Sequence, residues 1–468
     1  MNLPASAEPP PAVLPIVRSP PMRSRKTSAF VVGAVVAVLA AAGITPAAGA
    51  TATHYTGTLA DGATWIADVP ANWNGTLVLY SHGFGLLTAQ DAITSQAGAA
   101  LLAQGYALAG SSYDPNGSLW ALNSAVQDQF ATVTAFGQRV GRPQHTIATG
   151  ASMGGLVNSI IAQNSSGRID GSVNFCGLVA GGVELTNYHL NGEYAIKKLI
   201  PGAFLVPLRG YNSIVEGAAA GTALQTTIAL AQGTAAGRAR IALAAALLNE
   251  TDWASGATPP APTDFLGQEQ QEEQTLTGGQ LAILTTSEYS IEQAVGGDPA
   301  SNVGVDYGAL VRSSPYYAQL KALYAQAGLG LDADVATLNR GATYRSEGDS
   351  LRNTQLTATN TGSLPVPELD IHTIADQLVP VQEENAYAQR VQAAGDSANL
   401  RQAYVAAIGH CNFTAADIAA AVDTVAARIQ TGSWGRTDAG SLNATANALP
   451  GLGGGNFLEY QPTKLVVH

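Results

Sequence analysis

Charge is scarce in this chain: only 12% of its 468 residues are Asp, Glu, Lys or Arg. Basic residues are the scarcer kind, 22 against 34 acidic ones, and the formal net charge is −12. The lysines and arginines are scattered rather than clustered, which excludes a nucleic-acid footprint. Histidine, cysteine and carboxylates show no metal-ligand spacing, and no phosphate-binding glycine loop follows a strand. The expectation is therefore chemistry with no metal and no other cofactor. No internal repeat is evident, and no apolar run reaches the ~20 residues needed to span a bilayer. Cysteine is limited to Cys176 and Cys411, and there are only 7 histidines, so any histidine-dependent chemistry has few candidates.

Apolar residues, by contrast, make up 46% of the chain, enough for a large core. The longest apolar run extends from Ala29 to about Ile44, after Arg23-Ser24-Arg25-Lys26 and before Pro46-Ala47-Ala48-Gly49-Ala50. A basic region, a short apolar region and a small-x-small site describe a secretory signal peptide over residues 1–50, cleaved after Ala50. The run is too short for a retained anchor helix, so no stable membrane insertion is expected after cleavage. Residues 1–21 are Pro-rich and fit no signal-peptide region, which makes Met22 an alternative start. Cleavage removes Arg18, Arg23, Arg25, Lys26 and Glu8, a net loss of three positive charges, so the mature charge becomes −15. That suits a soluble exported protein.

Beyond residue 50 the pattern alternates. Strands are expected at Tyr55–Leu59, Thr64–Val69, Thr76–Tyr80, Tyr106–Ala109, His145–Thr149 and Gly171–Cys176, with helices at Ala92–Ala103, Leu119–Arg139 and after Ser152. This predicts a mostly parallel sheet with helices on both faces, residues 51–183 being its first part. Residues 184–363 are Ala-rich and helix-like, and read as a cap inserted after the sixth strand. Within it, Ala254–Pro262 reads as a loop and the Gln/Glu-rich stretch Gly267–Gln274 as a solvated helix face. The alternation resumes over 364–430, with strands Val366–His372 and Leu400–Ala406 and helices Gln382–Ala394 and Ala415–Gln430. Residues 431–468 are Gly- and Asn-rich and read as an irregular tail.

Gly150-Ala151-Ser152-Met153-Gly154 lies between a β-branched strand and the start of a helix, the setting of a nucleophile elbow. An elbow serine needs a base and an acid that orients the base, in the chain order serine, acid, histidine. Only His410 follows the last expected strand, and Gly409 gives its loop room to bend. Asp376 stands four residues beyond the strand ending at His372, where the orienting carboxylate belongs. Asp370 is the rival, inside the strand; Asp114 more simply caps the turn Asp114-Pro115-Asn116-Gly117. Two amides should face the developing oxyanion: that of Met153 at the helix start, and that of Phe84 in His82-Gly83-Phe84-Gly85, with Gly83 or Gly85 as alternatives.

These pieces, in this order, resemble the α/β-hydrolase superfamily over roughly residues 53–183 and 364–430. The resemblance implies a two-step acyl transfer in which Ser152 attacks, His410 takes its proton and Asp376 steadies the imidazolium. Two cysteines in an exported protein also invite a disulfide between Cys176 and Cys411, which would tether the histidine loop to the sheet edge. The pair His410-Cys411 is similar to the His-Cys pairing of tannases and feruloyl esterases, in which a disulfide links the histidine and serine neighbourhoods. Here Ala151, not cysteine, precedes Ser152.

The expected activity is that of a secreted serine hydrolase acting on a small-molecule or polymeric carboxylic ester. A serine peptidase of the same fold is the alternative, with Glu269, Glu272 or Glu273 holding a substrate amine. A non-catalytic binding protein on this scaffold would lack a member of the triad, and none is missing.

Overall fold

The computed structural model describes residues 52–468. The expected signal peptide and the alternative start at Met22 lie outside the described residues. Strands β1 (Ala52–Thr58) and β2 (Thr64–Pro70) form a hairpin with Thr58 opposite Thr64. Strand and helix then alternate through β3 (Thr76–Ser81), α1 (Ser95–Ala103), β4 (Ala107–Ser111), α2 (Ala125–Arg139), β5 (His145–Ala151), α3 (Met153–Gln163) and β6 (Gly171–Phe175). A strandless stretch follows, comprising α4 (Gly182–Leu199), α5 (Ile214–Ala231), α6 (Ala235–Leu248), α7 (Phe265–Thr275), α8 (Leu281–Val295), α9 (Tyr307–Ser313), α10 (Tyr317–Gln326), α11 (Leu331–Gly341) and α12 (Ser350–Thr357). The chain returns to the sheet with β7 (Glu368–Ala375), α13 (Glu383–Ala394), β8 (Leu400–Ile408), α14 (Ala415–Thr431), α15 (Ala439–Asn447) and β9 (Phe457–Leu458).

The strands form one sheet in the order β1-β2-β4-β3-β5-β6-β7-β8-β9. Strands β3 to β8 run parallel, while β2 and β9 pair antiparallel with that block. This is the α/β-hydrolase arrangement expected from the sequence. Because both faces are covered, β3, β6 and β7 are buried along nearly their whole length; β3 is largely apolar, whereas β6 and β7 alternate apolar residues with buried polar ones such as Ser172, Asn174, Glu368 and Asp370. On β3, Val78 and Tyr80 join Ile147, Val173, Ile371 and Val405 against Leu101 of α1 and Ile418 and Val422 of α14. Leu79 points the other way, into a cluster with Phe130 of α2 and Leu156 and Val157 of α3. Each such aliphatic side chain contributes about 1.5–3 kcal/mol on burial. This two-sided core fixes the strand ends from which the functional loops emerge.

The helical insertion has a core of its own, built from Ile196, Leu224, Ile228, Leu243, Leu247, Leu284 and Leu320. Inside it the Arg209 guanidinium is 6% exposed and faces the carboxylates of Glu193 at 2.6 Å, Glu288 at 3.3 Å and Asp298 at 3.6 Å. The Gln/Glu-rich stretch is not the solvated face expected of it: Glu269 and Glu272 of α7 are fully buried. Gln232 donates to Glu269 at 3.2 Å and Gln319 to Glu272 at 3.0 Å, so facing glutamines take the place of water.

Two further differences concern the ends of elements. Strand β7 runs on to Ala375, past a register shift after Thr373 that lets Ala375 pair with Ile408. Asp376 therefore follows the strand directly instead of standing four residues beyond it. The expected irregular tail carries α15 and β9, because Asn443 both donates to the Phe457 carbonyl (2.8 Å) and accepts from its amide (2.8 Å). Past β9, Asn249 at the end of α6 brackets Val466 in the same way, at 2.7 and 3.1 Å. Leu465 packs in the sheet-side cluster and Val466 in the core of the insertion, so the tail is fastened to both.

Candidate active site

Ser152 sits between β5 and α3 with φ +59° and ψ −125°, a strained conformation for a residue with a side chain. The strain is tolerated because the turn is packed on all sides by backbone. A Cβ on Gly150 would overlap the Gly154 carbonyl, and a Cβ on Gly154 would overlap that of Ser81. The two glycines thus let the start of α3 press against the ends of β3 and β5. The Ser152 amide donates to the Phe175 carbonyl at 3.0 Å, which fixes the serine to the neighbouring strand. Met153, first residue of α3, is fully buried, and its amide lies in the helix's first turn, where no intrahelical acceptor exists.

The loop after β3 closes the opposite side. Gly83 faces the serine so closely that a Cβ there would lie 3.2 Å from Ser152 Cβ and 3.7 Å from Oγ. His82 is buried and stacks on Tyr113, ring centroids 4.1 Å apart and planes 24° from parallel. Burial holds the His82 imidazole below its ordinary pKa, against hydrogen bonds to the Gly83 and Ser112 carbonyls that favour protonation. The Tyr113 hydroxyl donates to the His82 carbonyl at 3.0 Å, and Tyr113 itself has φ +61°. Tyr113 thus props the His82-Gly83-Phe84 turn from below. Nothing in its sequence context marks it, since its role depends on a turn 30 residues away.

His410 Nδ1 donates to Asp376, 2.8 Å from Oδ2 and 3.0 Å from Oδ1. Asp376 is fully enclosed, whereas the His410 side chain is 21% exposed. The Leu378 and Val379 amides each donate to Asp376 Oδ1 at 2.9 Å. Burial works to raise the Asp376 carboxyl, but the His410 charge and hydrogen bond, His372 and the Val379 amide together hold it below the usual carboxylate range. The rival Asp370 lies elsewhere, buried inside the sheet and accepting from Asn174 at 2.9 Å. Burial and the neighbouring Glu368 and Glu384 charges push its carboxyl well above the ordinary value.

The His410 loop is held at three points. The Gly409 amide donates to the Ala375 carbonyl at 2.9 Å, and Thr373 Oγ1 donates to the Gly409 carbonyl at 2.9 Å. A Thr414–Asp417 capping box then starts α14. The third point is a disulfide between Cys176 and Cys411, Cα atoms 5.4 Å apart, with both residues at positive φ. Cys176 follows Phe175, whose carbonyl holds Ser152, so the disulfide brings the serine and histidine loops to one sheet edge. Asp376 and His410 are joined by a hydrogen bond. Among the described residues no hydrogen bond joins Ser152 Oγ to His410.

The insertion borders the same edge. Gln377, beside Asp376, donates to the Ala254 carbonyl at 3.4 Å. Burial first of all, and the Asp376 charge with it, pushes the Glu250 carboxyl up to about 8.

A family model for a tannase-like family of unknown function matches residues 54–399. The chain belongs to that family (DUF6351). The tannase-like chain is 28% identical over 433 residues to an o-phthalyl amidase of Xanthobacter agilis, a match covering 85% of this chain and 91% of the amidase. Feruloyl esterase B from Aspergillus oryzae has 14% identity and a TM-score of 0.35, covering 77% of this chain and 73% of that one. Brefeldin A esterase, a bacterial homologue of human hormone-sensitive lipase, has 13% identity and a TM-score of 0.37, covering 85% and 76%.

Proposed function

We propose that this chain is a secreted serine hydrolase that cleaves an ester or amide bond through an acyl-enzyme on Ser152. The observation that carries the reading is the hydrogen-bonded Asp376–His410 pair at the same sheet edge as a serine held in a strained elbow. In the first step Ser152 Oγ bonds to the carbonyl carbon while its proton passes to His410 Nε2. The bond to the leaving alcohol or amine then breaks as His410 returns that proton to it. Water, deprotonated by the same histidine, attacks the acyl-enzyme and releases the acid and Ser152. Throughout, the amides of Met153 and Phe84 donate to the carbonyl oxygen, and buried Asp376 balances the imidazolium.

The helical insertion acts as the cap that bounds the substrate. The relative's name widens the expected substrates from carboxylic esters to amides, and small aromatic acyl groups come first among them. A substrate amine held by Glu269 or Glu272 has less support, because both carboxylates are buried beneath the insertion and face glutamines. The Cys176–Cys411 disulfide fits an exported protein. The test is a panel of p-nitrophenyl esters, aromatic monoesters, N-phthalyl amides and aminoacyl anilides, run on wild-type and His410→Ala protein. Turnover of an ester or a phthalyl amide, lost in the variant, is expected. Turnover confined to aminoacyl anilides would overturn the substrate class.

A further inference from the structure

A second histidine stands beside Asp376. His372 of β7 is fully buried, with Nε2 3.7 Å from Asp376 Oδ2. Both of its ring nitrogens face oxygen atoms. Nε2 is 3.0 Å from the Val379 carbonyl, and a carbonyl has no proton to give, so Nε2 carries a hydrogen. Nδ1 is 2.9 Å from Glu384 Oε1. The other oxygen of Glu384 accepts from Gln402 Nε2 at 2.7 Å, and an ionised Glu384, acceptor-only on both oxygens, takes a hydrogen from Nδ1 as well. A histidine with hydrogens on both nitrogens is an imidazolium.

We propose that His372 is a positioning residue for hydrolysis: a buried imidazolium, clamped by Glu384 and the Val379 carbonyl, that fixes Asp376 and offsets its pull on His410. The proposal rests on the reading of Asp376 and His410 as acid and base. Burial opposes a charge on His372, but the Glu384 and Asp376 carboxylates and the Val379 carbonyl override it and hold the imidazole above its ordinary pKa. The other titratable groups nearby are uncharged where a histidine base titrates. On α13, Glu383 is raised to about 8, chiefly by burial, and on β7 Asp370 is raised well above the carboxylate range, again chiefly by burial. Tyr404 of β8, paired in register with His372, and Tyr188 of α4, facing Asp376, are phenols raised first of all by burial. From the insertion, Glu250 also stays protonated up to about 8. Three charges therefore decide the balance behind His410: Asp376, Glu384 and His372.

Take away the positive one and Asp376 draws a proton onto His410 more strongly. His372→Gln, neutral and able to donate to Val379, should move the acidic limb of the kcat/KM profile up by roughly 0.5–1 pH unit. Below the limb that is a three- to tenfold loss, by about tenfold per unit. Glu384→Gln removes a negative charge together with the His372 charge it sustains, so the limb should move the same way but by less, because it is His372 that contacts Asp376. A limb that stays within about 0.1 unit in both variants, whatever the loss in kcat, overturns the proposal, since a merely structural role lowers the height of the profile and not its position. Should the variants fold poorly, the ring 15N shifts of His372 in Ser152→Ala protein at about pH 7.5 decide the matter. Two protonated nitrogens support the charge, and one protonated nitrogen overturns it. Fluorophosphonate labelling keeps the two readings apart. Labelling at Ser152 with an unmoved limb rejects only the role of His372, whereas unlabelled wild-type protein rejects the serine mechanism and this proposal with it.

Discussion

Replacing Asp376 with asparagine tests the acid–base pair with almost no change in shape. Asp376 Oδ1 accepts from the Leu378 and Val379 amides, so in Asp376→Asn the carbonyl oxygen keeps that position and the NH2 group takes the place of Oδ2. That NH2 then points a donor at His410 Nδ1, where the carboxylate had accepted at 2.8 Å. To avoid two hydrogens facing each other, His410 moves its proton to Nε2, the nitrogen that in the proposed mechanism receives the Ser152 proton. The base is thereby blocked while the fold stays intact. Loss of tautomer and of imidazolium stabilisation together cost about 4–5.5 kcal/mol of transition-state stabilisation, or roughly 10³–10⁴ in kcat. KM should change by only a few-fold, because Asp376 is fully enclosed and touches no substrate. Steady-state kinetics on the best ester or amide of the panel, with circular dichroism to verify the fold, give the answer. A kcat within tenfold of wild type would refute the role of Asp376. The variant also has a stability signature. The Asp376 carboxyl is held below its unfolded value, so its contribution is complete above about pH 4 and disappears as pH falls through the lowered value. Urea midpoints should therefore separate the two proteins near neutrality and converge in acid.

Reducing the Cys176–Cys411 disulfide, which closes a separation of 235 residues, should remove up to about 5 kcal/mol of loop-closure entropy and cut kcat more than KM, read by urea unfolding and kinetics with and without reductant. Unchanged kcat in the reduced, folded protein would show that the histidine loop does not depend on this tether. Arg209→Met should destabilise the insertion by about 3–5 kcal/mol, because Glu193, Glu288 and Asp298 lose their only ion-paired cation among the described residues, in a buried site. The check is whether thermal melting drops or splits into two transitions. Glu250 is raised from 4.5 to about 8, so the unfolded chain loses this proton first and stability falls between those values as pH rises, by at most about 1.4 kcal/mol per unit. Glu250→Gln should flatten that slope and gain on wild type most near pH 8; parallel curves would contradict the assignment.

The sequence made the elbow legible because its steric demands are local: glycines at 150 and 154 are required where backbones nearly touch. The sheet and the order of its strands were legible for a similar reason, since apolar runs such as Thr76–Tyr80 have one meaning in a doubly covered sheet. Asp376 could be separated from Asp370 only by supposing where β7 ends. The supposed end was early, because Ala375 pairs with Ile408 of β8 past a register shift that leaves no mark in composition. Glu269 and Glu272 read as solvated because their partners, Gln232 and Gln319, lie far off in sequence. Tyr113, His372 and the Asn249–Val466 clamp were hidden for the same reason. Each matters only through a neighbour that folding brings near.

The account turns on whether Ser152 becomes covalently acylated. Wild-type protein, Ser152→Ala and His410→Ala should be treated with a fluorophosphonate and the adduct located by peptide mapping with mass spectrometry. The expected result is one adduct per chain, on the peptide containing Ser152, absent from Ser152→Ala and formed far more slowly in His410→Ala. Labelling that persists in Ser152→Ala, or well-folded wild-type protein that takes no label while it hydrolyses its substrate, would contradict the account.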